Sequence, residues 1–215
     1  MKLVEQLNWR YAAKRMTGKK VDAQKIDNIL EATRLSASSG GLQPYTILII
    51  ENENLRKQIN KDICKQPQII EASHLLIFCA WTKLTEKEID DYLNLIVTTR
   101  GVTLDSLAPF RTSLIAMATR FTEDECFNWA SRQLYLALGT ALAAAAMEEV
   151  DCTPMEGFNA LALDEFLKLK DKNLRSVSLL PIGYRDEAND FLSKAKKVRR
   201  AKENLFVEIT DTLLS

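Results

Sequence analysis

The stretch from Thr122 to Met147 constrains this chain more than any other. Thr122-Glu-Asp-Glu125 has the form of a capping box, in which a Thr and the Glu three residues on satisfy each other's backbone N–H groups at a helix start. Phe127, Ala130, Leu134, Leu138, Ala141, Leu142 and Ala145 then recur at three- and four-residue steps. From Leu134 onward the pattern is apolar on nearly every face. Such a helix is expected at the centre of a core or in a subunit interface. Its alanines and Gly139 permit close approach by neighbours, and the run is too short to span a bilayer comfortably.

The remaining pattern is mostly helical. Asp22 can cap a helix with Ile26, Ile29, Leu30 and Thr33 on one face, and Asn52 another with Leu55, Ile59 and Ile63 in line. Thr85-Glu-Lys-Glu88 is a second capping box, ahead of a helix that Gly101 would stop. Strands are expected at Tyr45–Ile50, at His74–Trp81, at Ser176–Leu180 before Pro181 and Gly183, and at Leu205–Ile209. There is no regular β-α-β-α alternation, no repeat and no convincing linker. One α+β domain over residues 1–215 is the economical reading.

Composition removes several functions. Lys plus Arg and Asp plus Glu are both 29, so no global field favours nucleic acid. Cys64, Cys79, Cys126 and Cys152 form no C-x-x-C pair, which argues against a zinc ribbon or a redox dithiol. His74 is the single histidine, at the entrance to an apolar run, and reads as structural. Neither G-x-G-x-x-G nor a P-loop occurs. The first ten residues hold no apolar signal segment, so a cytoplasmic protein with no metal, no membrane span and no nucleic-acid partner is expected.

Four segments could carry chemistry. Arg10-Tyr-Ala-Ala-Lys-Arg15 clusters cations after the first helical pattern. Ser36-Ala-Ser-Ser-Gly-Gly-Leu-Gln-Pro44 is a small, polar turn that would let a ligand near the backbone. Thr153-Pro-Met-Glu-Gly-Phe158 follows the long helix, and Lys194–Lys202 is a basic run without aromatics. Taken singly, each reads more simply as a solvated helix end, a loop, a helix stop or a solvated face.

Together and in this order they resemble the FMN-dependent nitroreductase family, close to its oxygen-insensitive NAD(P)H nitroreductase and flavin reductase branch. Glu71-Ala-Ser-His-Leu75, Gln133-Leu-Tyr-Leu-Ala-Leu-Gly139, Pro181-Ile-Gly-Tyr184 and Lys197-Val-Arg199 add to the match. The resemblance implies a mostly antiparallel central sheet flanked by helices. It also implies an interlocked homodimer with two FMN sites, in which the Leu205–Ile209 strand crosses to the partner.

Residue by residue, it gives Arg10, Lys197 and Arg199 to the FMN phosphate, and Lys14 to the flavin edge. Tyr11 and Ala12 fall in the same binding segment. Ser38, Ser39 and Gly40 match a loop that contacts the flavin of the other subunit. Pro154, Met155, Glu156 and Gly157 match the segment over the ring, with the Glu156 N–H at its N5. Ile115 falls where relatives often carry an aromatic in the substrate pocket. Two departures stand out: Ala12 replaces a common serine, and Lys65-Gln-Pro-Gln68 replaces an asparagine and a lysine, with Gln68 as the substitute contact.

The implied activity is ping-pong reduction of nitroaromatics, quinones or flavins, with NADH or NADPH as hydride donor. The hydride chemistry belongs to FMN, so no catalytic side chain is expected. The alternatives are a non-catalytic flavin-binding or storage protein, and a nucleic-acid-binding module that uses residues 194–202.

Overall fold

The structure, a computed structural model, describes residues 1–209. Its sheet has four strands in the order β1-β2-β4-β3: β1 is Tyr45–Ile50, β2 His74–Trp81, β3 Asp151–Cys152 and β4 Leu174–Gly183. Every neighbouring pair is antiparallel. The central β2 is buried on both faces, which accounts for its uninterrupted apolar run. Leu76, Phe78 and Ala80 face one way, and Leu75, Ile77 and Cys79 the other.

Helices cover both faces. In chain order they are α1 (Lys2–Trp9), α2 (Ala23–Arg34), α3 (Glu53–Asp62), α4 (Gln68–Glu71), α5 (Glu86–Arg100), α6 (Ala108–Ala118), α7 (Glu123–Met147) and α8 (Ala160–Phe166). One face of the sheet packs on Ile26 and Ile29 of α2 and on Ala130, Leu134, Leu138, Ala141 and Ala145 of α7. The other packs on Ile59 of α3, Ile69 of α4 and Leu163 of α8. The first part of α7 joins α5 and α6 in a third cluster around Leu93, Leu114 and Cys126.

The caps form as the sequence implies. Asp22 accepts from the Gln24 N–H, Asn52 from the Leu55 N–H, and Thr85 and Thr122 close their capping boxes. Gly101 ends α5 at φ 69°. Only part of α7 is enclosed, however. Tyr135, Leu136 and Met147 remain exposed while Leu134, Ala137, Leu138 and Ala141 are buried.

Four expectations need correction. Leu205–Ile209 is not a strand: a short 3-10 turn at Lys202–Asn204 precedes it, and Leu205, Phe206, Val207 and Ile209 lie exposed. Among the described residues it pairs with no strand of this chain, and the neighbour expected for it lies on a second copy's sheet. β4 runs on through Pro181 to Gly183. Its Pro181 carbonyl accepts from the Thr153 N–H, so the missing proline donor faces Thr153, just past the end of the two-residue β3, and costs no bond to the central β2. On α3 the inward residue is Arg56, not Leu55. Arg56 donates to the carbonyls of Ile69, Ile70 and Ala72, so a charged residue occupies a position that an apolar pattern cannot reveal. Finally, α6 and α8 form where no helix was read.

Candidate active site

The two ends of the chain meet at a cavity of about 380 Å³. Arg10, Tyr11, Ala12 and Lys14 line it from the segment after α1, and Lys197 and Arg199 from the segment after β4. Lys197 ties the two together, its ammonium donating to the carbonyls of Leu7, at 2.7 Å, and Arg10. Arg199 opens onto the cavity with its neighbours Lys196 and Val198, whereas Arg200 turns to the Asn204 carbonyl.

These cations face one another without compensation. Among the described residues, none of Arg10, Lys14, Lys197 and Arg199 forms an ion pair. Burial, together with the charges of Arg10 and Arg199, holds the Lys197 ammonium below the ordinary lysine range. Arg10 reaches the Cys152 carbonyl only at 3.5 Å, and its buried Nε has no partner among the described residues. A buried donor left without an acceptor beside uncompensated cations suits an anion.

Two carboxylates missed at the level of sequence build this wall. Asp190 is buried and accepts from the Lys14 N–H at 2.7 Å, the Leu192 N–H at 2.9 Å and the Tyr11 hydroxyl at 3.0 Å. Burial alone would raise its pKa, but these donors outweigh burial and hold it below the usual carboxylate value. The same environment raises the Tyr11 hydroxyl, by burial first and Asp190 second. Asp151 takes a bidentate grip from Arg185, whose guanidinium stacks 4.2 Å from the Trp9 ring and 4.6 Å from that of Tyr11. Neither acid lies in a recognisable motif: Asp190 sits in a polar turn after β4, and Asp151 opens the two-residue β3 just after α7.

Pro154 lines this cavity and also a second groove of about 390 Å³. The groove is walled by Tyr135, Leu138, Gly139 and Leu142 of α7, and by Pro154, Met155, Glu156 and Ser178. Met155 is locked to the sheet by a reciprocal pair of backbone bonds with Leu179, both 2.9 Å. Glu156 is exposed, and its carboxylate accepts from the Tyr135 hydroxyl at 2.5 Å. Among the described residues its backbone N–H donates to nothing. Among the described residues a Cβ at Gly139 would meet no atom within 4 Å, so α7 is open at that point, and a Cβ at Gly157 would likewise meet none.

The other expected site residues lie elsewhere. The Ser39 N–H donates to Gln133, Ser38 accepts from the Gln43 N–H, and the Gly40 carbonyl accepts from Tyr92. This turn lines neither space within one chain. Gly40 has φ 62° and Gly41 φ 77°, and a Cβ on Gly41 would sit 2.2 Å from the Tyr92 hydroxyl oxygen, so the turn requires glycine. Ile115 packs into the α5–α6–α7 cluster. Gln68 is buried and donates to the Ala13 carbonyl, supporting the Arg10–Lys14 segment from behind. No thiol offers a ready nucleophile: all four cysteines are buried, and burial pushes Cys152 up to about 12 and Cys126 up to about 11.

A family model, the Nitroreductase family, matches residues 7–184. The chain belongs to this family. Curated nitroreductase relatives extend the match to nearly the whole length. The major NAD(P)H-flavin oxidoreductase of Aliivibrio fischeri is 29% identical, covering 94% of this chain and 96% of its own. The oxygen-insensitive NAD(P)H nitroreductase of Salmonella typhimurium is 26% identical, covering 93% and 96%. The fold agrees with solved structures. A nitroreductase-like protein of Streptococcus mutans superposes with a TM-score of 0.80 at 19% identity, over 97% of this chain and 98% of that one. A protein of the same type from Exiguobacterium sibiricum, solved in complex with FMN, gives 0.83 at 17% identity, over 96% and 97%. The family model ends at residue 184, before Lys197 and Arg199, so the structure supplies the place of those two.

Proposed function

We propose that this nitroreductase-family protein is an FMN-dependent oxidoreductase that draws on NADH or NADPH to reduce nitroaromatics, quinones or flavins in ping-pong fashion. The observation that carries the reading is the meeting of Arg10, Lys14, Lys197 and Arg199 around one cavity that adjoins the groove over Glu156. The activities for which the flavin oxidoreductase of Aliivibrio fischeri and the nitroreductase of Salmonella typhimurium are named support the same reading.

The residues present fit FMN. Three cations, one of them Arg10 with an orphaned guanidinium N–H, suit a phosphate dianion, and a mostly apolar groove open at Gly139 suits a ring. When bound, FMN supplies the centre that takes up a hydride and passes electrons on. Arg10, Lys197 and Arg199 would hold the phosphate, Tyr11 and Ala12 would wall its cavity, and Lys14 would supply positive charge that favours the electron-rich reduced form. The unused Glu156 N–H would offer a donor to the ring, with Pro154, Met155 and Gly157 shaping the surface around it. Gln68 would act at one remove, by fixing the Ala13 carbonyl.

A homodimer completes the reading. The exposed faces of Tyr135, Leu136 and Met147 on α7 and of Leu205–Ile209 would be covered by a second copy, whose Ser38, Ser39 and Gly40 would reach this chain's groove. An interface of that kind exceeds roughly 2,000 Å² in total.

Steady-state turnover tests the proposal. Double-reciprocal lines for NADH or NADPH at several concentrations of a nitroaromatic should be parallel. Intersecting lines with a demonstrated ternary complex would overturn the single shared site. A protein that binds FMN but oxidises neither nicotinamide would be a flavin carrier instead. In sedimentation, a folded monomer that keeps its FMN on dilution would contradict the dimer.

A further inference from the structure

The groove beside Pro154 has one charged lining residue. Leu138, Gly139, Leu142, Pro154 and Met155 are apolar, Tyr135 and Ser178 are neutral, and Glu156 alone carries charge. That carboxylate is exposed and pairs with no cation among the described residues. A free carboxylate on a surface turn would swing into water. Here the Tyr135 hydroxyl donates to it at 2.5 Å from α7, which holds it over the groove while it stays open to solvent. Tyr135 is in turn seated on the long helix, next to the buried Leu134. The groove therefore carries a fixed, uncompensated negative charge on an apolar wall.

We propose that the Tyr135–Glu156 pair sets the charge selectivity of this site, admitting neutral or cationic acceptors and disfavouring anionic ones. The proposal rests on the reading of the groove as the place where acceptors meet bound FMN. The phosphate of FMN would offset much of the charge of Arg10, Lys197 and Arg199; Lys14 would remain at the flavin edge, and Glu156 is the charge on the groove wall itself that an incoming acceptor meets. Glu156 is the specificity-determining group, and Tyr135 is a positioning residue that acts through it. A unit charge roughly 8 Å away in a partly solvated site changes affinity by about 3- to 10-fold.

The test compares 4-nitrobenzamide with 4-nitrobenzoate, which differ chiefly in charge. Their dissociation constants are read from the perturbed absorbance of bound FMN without reductant, and their kcat/KM values with NADH or NADPH. The wild-type protein should favour the amide, and Glu156→Gln should lower that preference by about 3- to 10-fold in both readouts. Tyr135→Phe should lower it in the same direction but by less, since the carboxylate stays but is no longer held. The reduction potential of bound FMN should rise in Glu156→Gln, as a nearby negative charge is removed. If FMN binds and the amide preference is the same in all three proteins, the charge-selectivity proposal is overturned while the cofactor reading stands. If the protein fails to bind FMN, both go.

Discussion

The two halves of the candidate site are built in different ways. The groove over Glu156 stands on the core. Met155 is bonded to β4, Leu138 is buried against the sheet, and α7 is the longest helix of the described residues. The cationic cavity is assembled from two loops near opposite ends of the chain, joined by polar contacts from Asp190 and Lys197. The first is held by apolar burial and sheet register, the second by a few hydrogen bonds. Substitutions in the groove should therefore change fit while the fold persists. Substitutions in the cavity should loosen the cavity itself, and a bound phosphate should order it.

The largest effect is expected at Asp190. Asp190→Ala leaves the Lys14 and Leu192 N–H groups and the Tyr11 hydroxyl without their acceptor, a loss of about 3 kcal/mol or more. FMN affinity should fall about 100-fold or more. Hydrogen exchange should show lost protection in residues 10–16 and 185–199 with β2 unchanged. Loss of protection throughout β2 would mean that the two halves are not separable.

Gly139→Ala should act on the other half, and in two opposite senses. Alanine in a helix interior is favoured over glycine by about 1 kcal/mol, and its Cβ meets nothing in the chain, so the FMN-free protein should resist urea better. The added methyl would enter the groove, and FMN affinity should drop roughly tenfold, equivalent to about 1.4 kcal/mol. A variant that is stabilised and binds FMN unchanged would show that this side of α7 does not face the ligand.

The smallest effect concerns pH. Lys197 is held below the ordinary lysine range by burial and by its cationic neighbours, so it loses its proton at lower pH than a free lysine. Phosphate is bound by the charged form. FMN affinity should therefore begin to decline with rising pH before an ordinary lysine titrates, and Lys197→Arg should flatten that limb. An identical alkaline limb in both proteins would remove Lys197 from the phosphate contact.

The same division explains what the sequence could and could not reveal. β1 and β2 match their apolar runs end to end: β2 because a strand buried on both faces leaves a continuous local signal, and β1, a mostly half-buried edge strand, because its β-rich run is bounded by breakers. The caps at Asp22, Asn52, Thr85 and Thr122 were equally legible, since a cap is a local bond between near neighbours. Asp190 and Asp151 were not legible. Their side-chain partners lie far away in the chain, and nothing about a lone Asp in a polar turn (Asp190) or just past a helix end (Asp151) announces burial. Arg56 was hidden for the same reason, its acceptors being backbone carbonyls of another element. Leu205–Ile209 has strand composition, yet among the described residues it pairs with no strand, and the pairing expected of it is with a second copy rather than with this chain's own sheet.

Comparison of FMN with riboflavin tests the central claim most directly, since the two differ only in the phosphate. Titrated into the FMN-free protein, FMN should bind at least 100-fold more tightly than riboflavin. Arg199→Ala should weaken FMN by about 10- to 150-fold and leave riboflavin unchanged, whereas Arg200→Ala should alter neither. Equal binding of FMN and riboflavin by the unaltered protein would contradict the account and return Arg10, Lys197 and Arg199 to an ordinary solvated surface.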